Sequence, residues 1–421
     1  MTSRSKPSLE TRLRSISKEL FQSMEAVLEV ALADHGGTHR LRPVVLTSEL
    51  GLDKSLASRI AKSLRENDEL KALHASPSPK GLQLLRQALV EYGLSHGQLQ
   101  GFSRSVDSYR ELLLEFSGGR TGLEATLAGW IPELLEKAER DARRLVYRGH
   151  TTLDGTRTGT VYNAIYLQPP AHGSTKLDLY IVGVREDLRR LRPDEEIPLM
   201  VIAGHQSFGD WRNQRQRLDG TPMSSEAGDA SVDNESPGQL LIEQLCSSPV
   251  QDLELVRRGE SSVVRVTKAS LDVNELATVA FGWKLSEFFF GAKDKSSGHH
   301  HISFTASVPA ECMVVDLFVH QDVPLQSDPV ATVSRLIDID HEEMQEPPAP
   351  GTRARTSAPK VERLANSSSA VNTQDVRDCE GIAQHVSRVA GLDLDQFRVY
   401  RTRIDYPMTS EALTLWLEER T

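Results

Sequence analysis

At 421 residues, with 38% hydrophobic and 26% charged side chains and a formal charge of −10, the chain exceeds one ordinary core and has the composition of a soluble protein of two or three folded units. No stretch approaches the roughly 18 uninterrupted apolar residues of a membrane-spanning helix. Cys246, Cys312 and Cys379 stand far apart with no C-x-x-C pair, which excludes a disulfide framework and a thiolate zinc site and marks them as reduced structural thiols.

The opening MTSRSKPSLETRLRS lacks the apolar run of a secretory leader, so a cytoplasmic location with no membrane partner is expected. From Leu9 to Leu32, Leu13, Ile16, Leu20, Met24, Val27, Leu28 and Ala31 recur at spacings of three and four, which predicts a helix closed by Gly36-Gly37. Shorter helices are predicted over Pro43–Leu50 and Asp53–Arg65. A connecting segment follows in which Pro77 and Pro79 forbid continuation, and a further helix runs over Leu82–Tyr92. Residues 107–116 and 131–147 complete an almost entirely helical first third. The second of these carries Leu134, Leu135, Ala138, Ala142 and Leu145 on one stripe.

After Gly149 the pattern changes. TVYNAIYLQ, KLDLYIVGV, PLMVIAG, SSVVRVTK, HISFTASV and CMVVDLFVH are short runs rich in β-branched and aromatic residues, bounded by Gly, Pro or Asp, and predict strands. Helices are expected near 238–246, 273–290 and 375–390, with a strand at QFRVYRTRI. The polar, Gly/Ser-rich stretch 212–238 and the proline-rich 344–374 predict loops or linkers.

The most informative string is PVVLTSELGLDKSLASRIAKSL, residues 43–64. Leu46 and Leu50 face inward from the first helix, Gly51 supplies the positive φ of a tight turn, Leu52 closes it, and Ala57 and Ile60 pack back from the second. Asp53 is placed to cap that second helix. Between Gly37 and Arg86 nine Lys/Arg face five Asp/Glu, a balance of +4, so a basic module precedes a body that with the other residues carries −14.

Residues 43–66 resemble the helix-turn-helix of bacterial one-component transcription regulators, and DKSLASRIAKSL is similar to the recognition helices of the MarR, IclR and LacI types. Thr47 stands where such motifs usually carry a small alanine, and its hydroxyl needs a partner. A winged version has only LKALHASPSPKG in which to form its hairpin, so any wing is short. The resemblance implies that Lys54, Ser55, Ser58, Arg59 and Lys62 form the face that enters a major groove. Ser55, Ser58 and Arg59 are then the base readers, while Lys54 and Lys62 meet phosphates, flanked by Arg40, Arg42 and Lys80.

Other clusters are weaker. His299-His300-His301, with His320 and Asp322, offers imidazoles, but consecutive residues of an extended segment alternate faces, so a solvated loop is the better reading. Asp338, Asp340, His341, Glu342 and Glu343 lack the glycine and terminal glutamate of a calcium loop. No G-x-S-x-G, phosphate loop or H-E-x-x-H occurs, which leaves an enzyme only scattered residues such as His205, Asp210 and Asp316. Trp211, Trp283, Phe288, Phe289 and Phe290 read as core or interface aromatics.

The expected fold class is multidomain, an all-α N-terminal helix-turn-helix module followed by a mixed α+β body. The divisions are a DNA-binding domain at 1–100, a helical connector or dimerisation segment at 101–148, an α+β effector or assembly domain at 149–343, a linker at 344–374 and a small C-terminal element at 375–421. The expected partners are double-stranded DNA, a small-molecule effector and a second copy of the chain, paired through the stripes at 9–32 and 131–147, with no metal and no cofactor. An enzyme with an appended helical module, and a protein-interaction scaffold, are the alternatives.

Overall fold

The computed structural model describes residues 8–33, 41–169, 177–203, 215–222, 240–247, 253–258, 261–267, 271–288, 299–335, 359–365 and 371–418. The chain divides into two compact units, Met1–Ala138 and Glu139–Thr421. The described part of the first is helical throughout: α1 (Leu9–Ala31), α2 (Pro43–Leu50), α3 (Lys54–Ser63), α4 (Glu69–Ala75), α5 (Pro79–Glu91), α6 (Gln100–Leu114), α7 (Arg120–Ala128) and the start of α8 (Pro132–Asp154). The helix starts follow local chemistry. Ser8, Asp53, Asp68 and Ser78 accept backbone N–H groups at the N-termini of α1, α3, α4 and α5, and Pro43 and Pro79 occupy first turns, where a missing N–H is harmless.

One hydrophobic cluster joins these helices, with Leu13, Leu20 and Met24 of α1, Leu46 of α2, Ile60 of α3, Leu70 of α4, Leu85 of α5, Phe102 and Tyr109 of α6 and Leu123 of α7 all inside it. Three expectations change accordingly. The stripe of α1, expected as a surface for pairing, is buried in this core. The segment from 101 is no separate connector, because Phe102, Val106 and Tyr109 belong to the same core. The stretch LKALHASPSPKG contains α4, not a β-hairpin, because Asp68 caps a turn whose Leu70 and Leu73 reach the core.

The second unit contains β1 (Thr156–Gln168), β2 (Leu177–Arg190), β3 (Ile197–Ala203), β4 (Arg215–Gln216), β5 (Leu253–Arg258), β6 (Ser261–Val266), β7 (Ala277–Phe288), β8 (His299–Thr305), β9 (Ala310–His320), β10 (Val330–Arg335) and β11 (Val361–Arg363). Helix α9 (Cys379–Ala390), β12 (Phe397–Asp405) and β13 (Glu411–Glu418) follow. A seven-stranded sheet runs in the order β11-β12-β9-β1-β2-β7-β4, with β1 and β9 parallel and its other neighbours antiparallel. Two three-stranded antiparallel sheets, β10-β13-β8 and β3-β6-β5, accompany it.

The large sheet is buried on both faces. Val161 and Ile165 of β1 and Val315 and Leu317 of β9 share a cluster with Leu199, Val264, Leu413 and Leu415 of the small sheets. Tyr162, Ala164 and Tyr166, pointing the other way, meet Cys379, Ile382 and Val386 of α9. Central strands with two buried faces read as nearly unbroken apolar runs, which is how β1 and β9 read in sequence.

A helical N-terminal part and a body of mixed sheet with a helix are therefore present, but several elements differ from expectation. Where a helix was expected over 273–290 the described residues form strand β7, Ala277–Phe288, and the described residues of 238–246 carry a 3-10 turn at Glu243–Leu245. Parts of the expected loops are paired: β4 hydrogen-bonds to β7, and β11 to β12. Residues 375–421 do not form a separate element. Strand β12 lies between β11 and β9, and β13 between β10 and β8. Most of 212–238 and 344–374, together with Gly36-Gly37, lies outside the described residues. Among the described residues no helix is long and apolar enough to cross a membrane.

Candidate nucleic-acid interface

Helix α2 ends on Gly51 at φ 62°, ψ 18°, the left-handed conformation that a side chain disfavours. The chain then turns through buried Leu52 into Asp53, whose Oδ1 accepts N–H bonds from Ser55 at 2.8 Å and Leu56 at 2.9 Å. Leu46 and Leu50 on one side, and Leu56, Ala57, Ile60 and Ala61 on the other, are all buried and fix the crossing of α2 and α3. Thr47 donates its hydroxyl to the Pro43 carbonyl at 3.0 Å, which satisfies the group that stands where alanine is usual. Arg65 Nη2 donates to the Leu41 carbonyl at 2.8 Å, tying the end of α3 to the entry of α2.

With that face inward, Lys54, Ser55, Ser58, Arg59 and Lys62 are all exposed on the opposite face of α3. Arg42, before α2, and Lys80, in the first turn of α5, are exposed as well, and Arg40 lies outside the described residues. Three of the nearby acids are occupied. Asp53 caps α3; Asp68 caps α4 through Oδ1 and meets Arg14 at 3.0 Å through Oδ2; Glu69 meets Arg14 at 3.2 Å. Among the described residues, Lys54, Arg59 and Lys62 form no ion pair. Burial lowers the His74 imidazole, Glu124 opposes this, and Arg120, Lys62 and Lys137 reinforce it. The stripe itself carries its positive charge on Lys54, Arg59 and Lys62. A planar guanidinium flanked by two hydroxyls can grip a base edge with paired hydrogen bonds, and mobile ammonium groups suit phosphates.

Among the described residues the other candidates do not converge. His301 lies with its ring 5.1 Å from that of Trp416, and His300 stands opposite Leu417 in the β8–β13 ladder. His320 Nδ1 lies 3.2 Å from the Asp322 N–H, and its Nε2 lies 2.7 Å from Gln396 Oε1. Among the described residues no three His, Cys, Asp or Glu side chains are grouped to hold a metal ion. Asp316 is fully buried, held by Arg401 Nε and Nη2, each at 2.6 Å, and by the Tyr162 hydroxyl at 2.9 Å. Trp283 is core. His205, Asp210, Trp211, Phe289, Phe290, Asp338, Asp340, His341, Glu342 and Glu343 lie outside the described residues, as do the side chains of His299 and Phe288.

Two features went unread in the sequence. Arg185 is buried with no carboxylate partner among the described residues: its Nε and Nη2 donate to the Leu199 carbonyl at 3.1 and 2.9 Å, and its guanidinium lies 5.1 Å from the Phe281 ring centre. Burial pushes it down to about 9. The Tyr162–Asp316–Arg401 network had one visible signal, a lone aspartate inside the apolar run CMVVDLFVH. Burial also pushes the Cys312 and Cys379 thiols up, to about 11 and about 12, which favours the neutral thiol over the thiolate.

No family model matches the chain, and no curated protein matches it. Among solved structures the chain is similar to a presumed protease from Parabacteroides distasonis, at 9% identity and a TM-score of 0.27, over 63% of this chain and 40% of that one. The chain thus spans less than half the length of that structure, and a likeness of this size informs neither fold nor activity.

Proposed function

We propose that the protein is a sequence-specific DNA-binding regulator of transcription that lays α3 into the major groove. The sheet-rich unit is then the part that senses a small-molecule effector or mediates assembly. The observation that carries this reading is the exposed stripe Lys54, Ser55, Ser58, Arg59 and Lys62, free of ion pairs among the described residues on a helix whose other face is locked into the core. The resemblance of residues 43–66 to bacterial recognition helices supports it. Arg59 with Ser55 and Ser58 reads base edges, and Lys54, Lys62, Arg40, Arg42 and Lys80 contact phosphates.

Fluorescence anisotropy on genomic fragments selected by the protein tests the reading. Arg59→Ala is expected to lose about 1–3 kcal/mol on the preferred site and less on random DNA, while Lys62→Ala reduces the slope of log affinity against log salt by about one. Unchanged affinity in the double variant Arg59→Ala/Lys62→Ala, with native circular dichroism, overturns the assignment. Binding that persists unweakened at high salt also overturns it, in favour of a protein partner.

A further inference from the structure

Between Glu139 and Gly149 the side chains of helix α8 that contact the strands lie on one face. Arg143 pairs with Glu411 at 2.8 Å, Tyr147 donates its hydroxyl to Glu311 at 3.3 Å, and Arg140 pairs with Asp405 at 2.7 Å, so positions 140, 143 and 147 face the sheet-rich unit. Rotated away from these lie Ala138, Ala142, Leu145, Gly149 and Leu153, at spacings of three or four. All five are exposed, Leu145 by 67% and Leu153 by 71%. Leucines left in water beside small residues form a seam that admits the close approach of another helix.

We propose that this seam pairs with the same seam of a second copy of the chain, antiparallel, about a two-fold axis that crosses α8 near Arg143 and Arg144. The charges beside the seam select both occupant and direction. Asp141 and Arg148 border it on one flank, both exposed and, among the described residues, in no ion pair. In the antiparallel arrangement Leu145 fills the space above Ala142 of the second copy, and Ala138 lies against its Gly149. Asp141 then stands opposite Arg148 of the second copy, and the two-fold repeats the pair. A parallel arrangement places Arg148 beside Leu153 and forms no such pair. Because the rest of the unit already holds α8 helical, pairing does not have to order it first.

The interface does not depend on the DNA-binding reading, because sedimentation equilibrium of the full chain without DNA tests it. The wild type is expected to reach dimer mass at micromolar concentration. Leu145→Glu, which leaves a carboxylate in the seam, is expected to weaken association at least about tenfold. Asp141→Arg and Arg148→Asp each oppose like charges and weaken it similarly, whereas the double exchange restores the pair and recovers association. Circular dichroism confirms that each variant is folded. A monomeric wild type, meaning the seam is covered by the chain's own segments or by nothing, overturns the proposal. So does a dimer indifferent to Leu145→Glu, or a double exchange no better than its single parents.

Discussion

Two glycines show what one residue's missing side chain accomplishes. A Cβ added at Gly51 meets nothing within 4 Å, so Gly51→Ala strains only the backbone at φ 62°. A Cβ added at Gly183 comes 2.5 Å from Phe281 Cζ, in the layer where Arg185 also leans on that ring. Gly51→Ala is therefore expected to lose about 1 kcal/mol, and Gly183→Ala more, about 1–3 kcal/mol, since a buried ring must move. Urea midpoints of the two variants check the order; equal losses contradict it. Gly51 and the Asp53 cap were legible in sequence because every partner lies within a few residues. Gly183 was not, because its partner sits on another strand far along the chain. Arg185 was missed for a related reason, as a basic residue in a strand reads as solvent-facing unless its cross-sheet neighbours are known.

The elements that sequence periodicity misjudged were decided by tertiary packing. Strand β7 keeps Ala277, Val279, Phe281, Trp283 and Leu285 on one face of the sheet, a strict alternation that favours a strand, yet its opposite face is also buried through Ala280. Burial on both sides blurred that alternation into an apolar run compatible with a helix. Helix α4, too short for a clear period, depends on its cap. Partial burial raises the Asp68 carboxyl, but the Lys71 N–H and the Arg14 guanidinium outweigh it and hold Asp68 below its ordinary value. A depressed carboxylate contributes stability above its unfolded pKa of about 4 and loses it as pH falls through the lower folded value. Between about pH 7 and about pH 3 the wild type is accordingly expected to lose more stability than Asp68→Asn, which keeps a capping acceptor without the charge. Parallel urea titrations of both proteins at the two pH values decide this, and equal losses rule out a role for the ion pair.

At the scale of the whole molecule, the sequence carried the change from helix to strand near Gly149, but not the closure of the sheets. The strand QFRVYRTRI was visible locally, whereas its position between β11 and β9 depends on a register no local pattern encodes. The candidate interface was legible for the opposite reason, as α2, the turn and α3 are contiguous. If residues 375–421 were a detachable element, a chain ending at residue 374 would keep its sheet signal. Because that deletion removes β12, β13 and α9, it is instead expected to expose β9 as an unpaired edge and to give aggregated protein that lacks native sheet by circular dichroism. A soluble truncated chain with native-like sheet content contradicts this account of the unit.

The parallel pairing of β1 with β9 also has a consequence for synthesis. A parallel pair cannot close through a tight turn, and these two strands must wait for everything between them, so residues 156–168 stay without their inner partner until residues 310–320 have left the ribosome. The helical unit precedes the sheet in the chain and can form first, while β1 lacks its inner partner for the whole stretch of synthesis from residue 168 to residue 310. Ribosome-bound chains stalled in that interval are accordingly expected to capture chaperones more strongly than chains stalled beyond residue 320, which crosslinking on the ribosome would check.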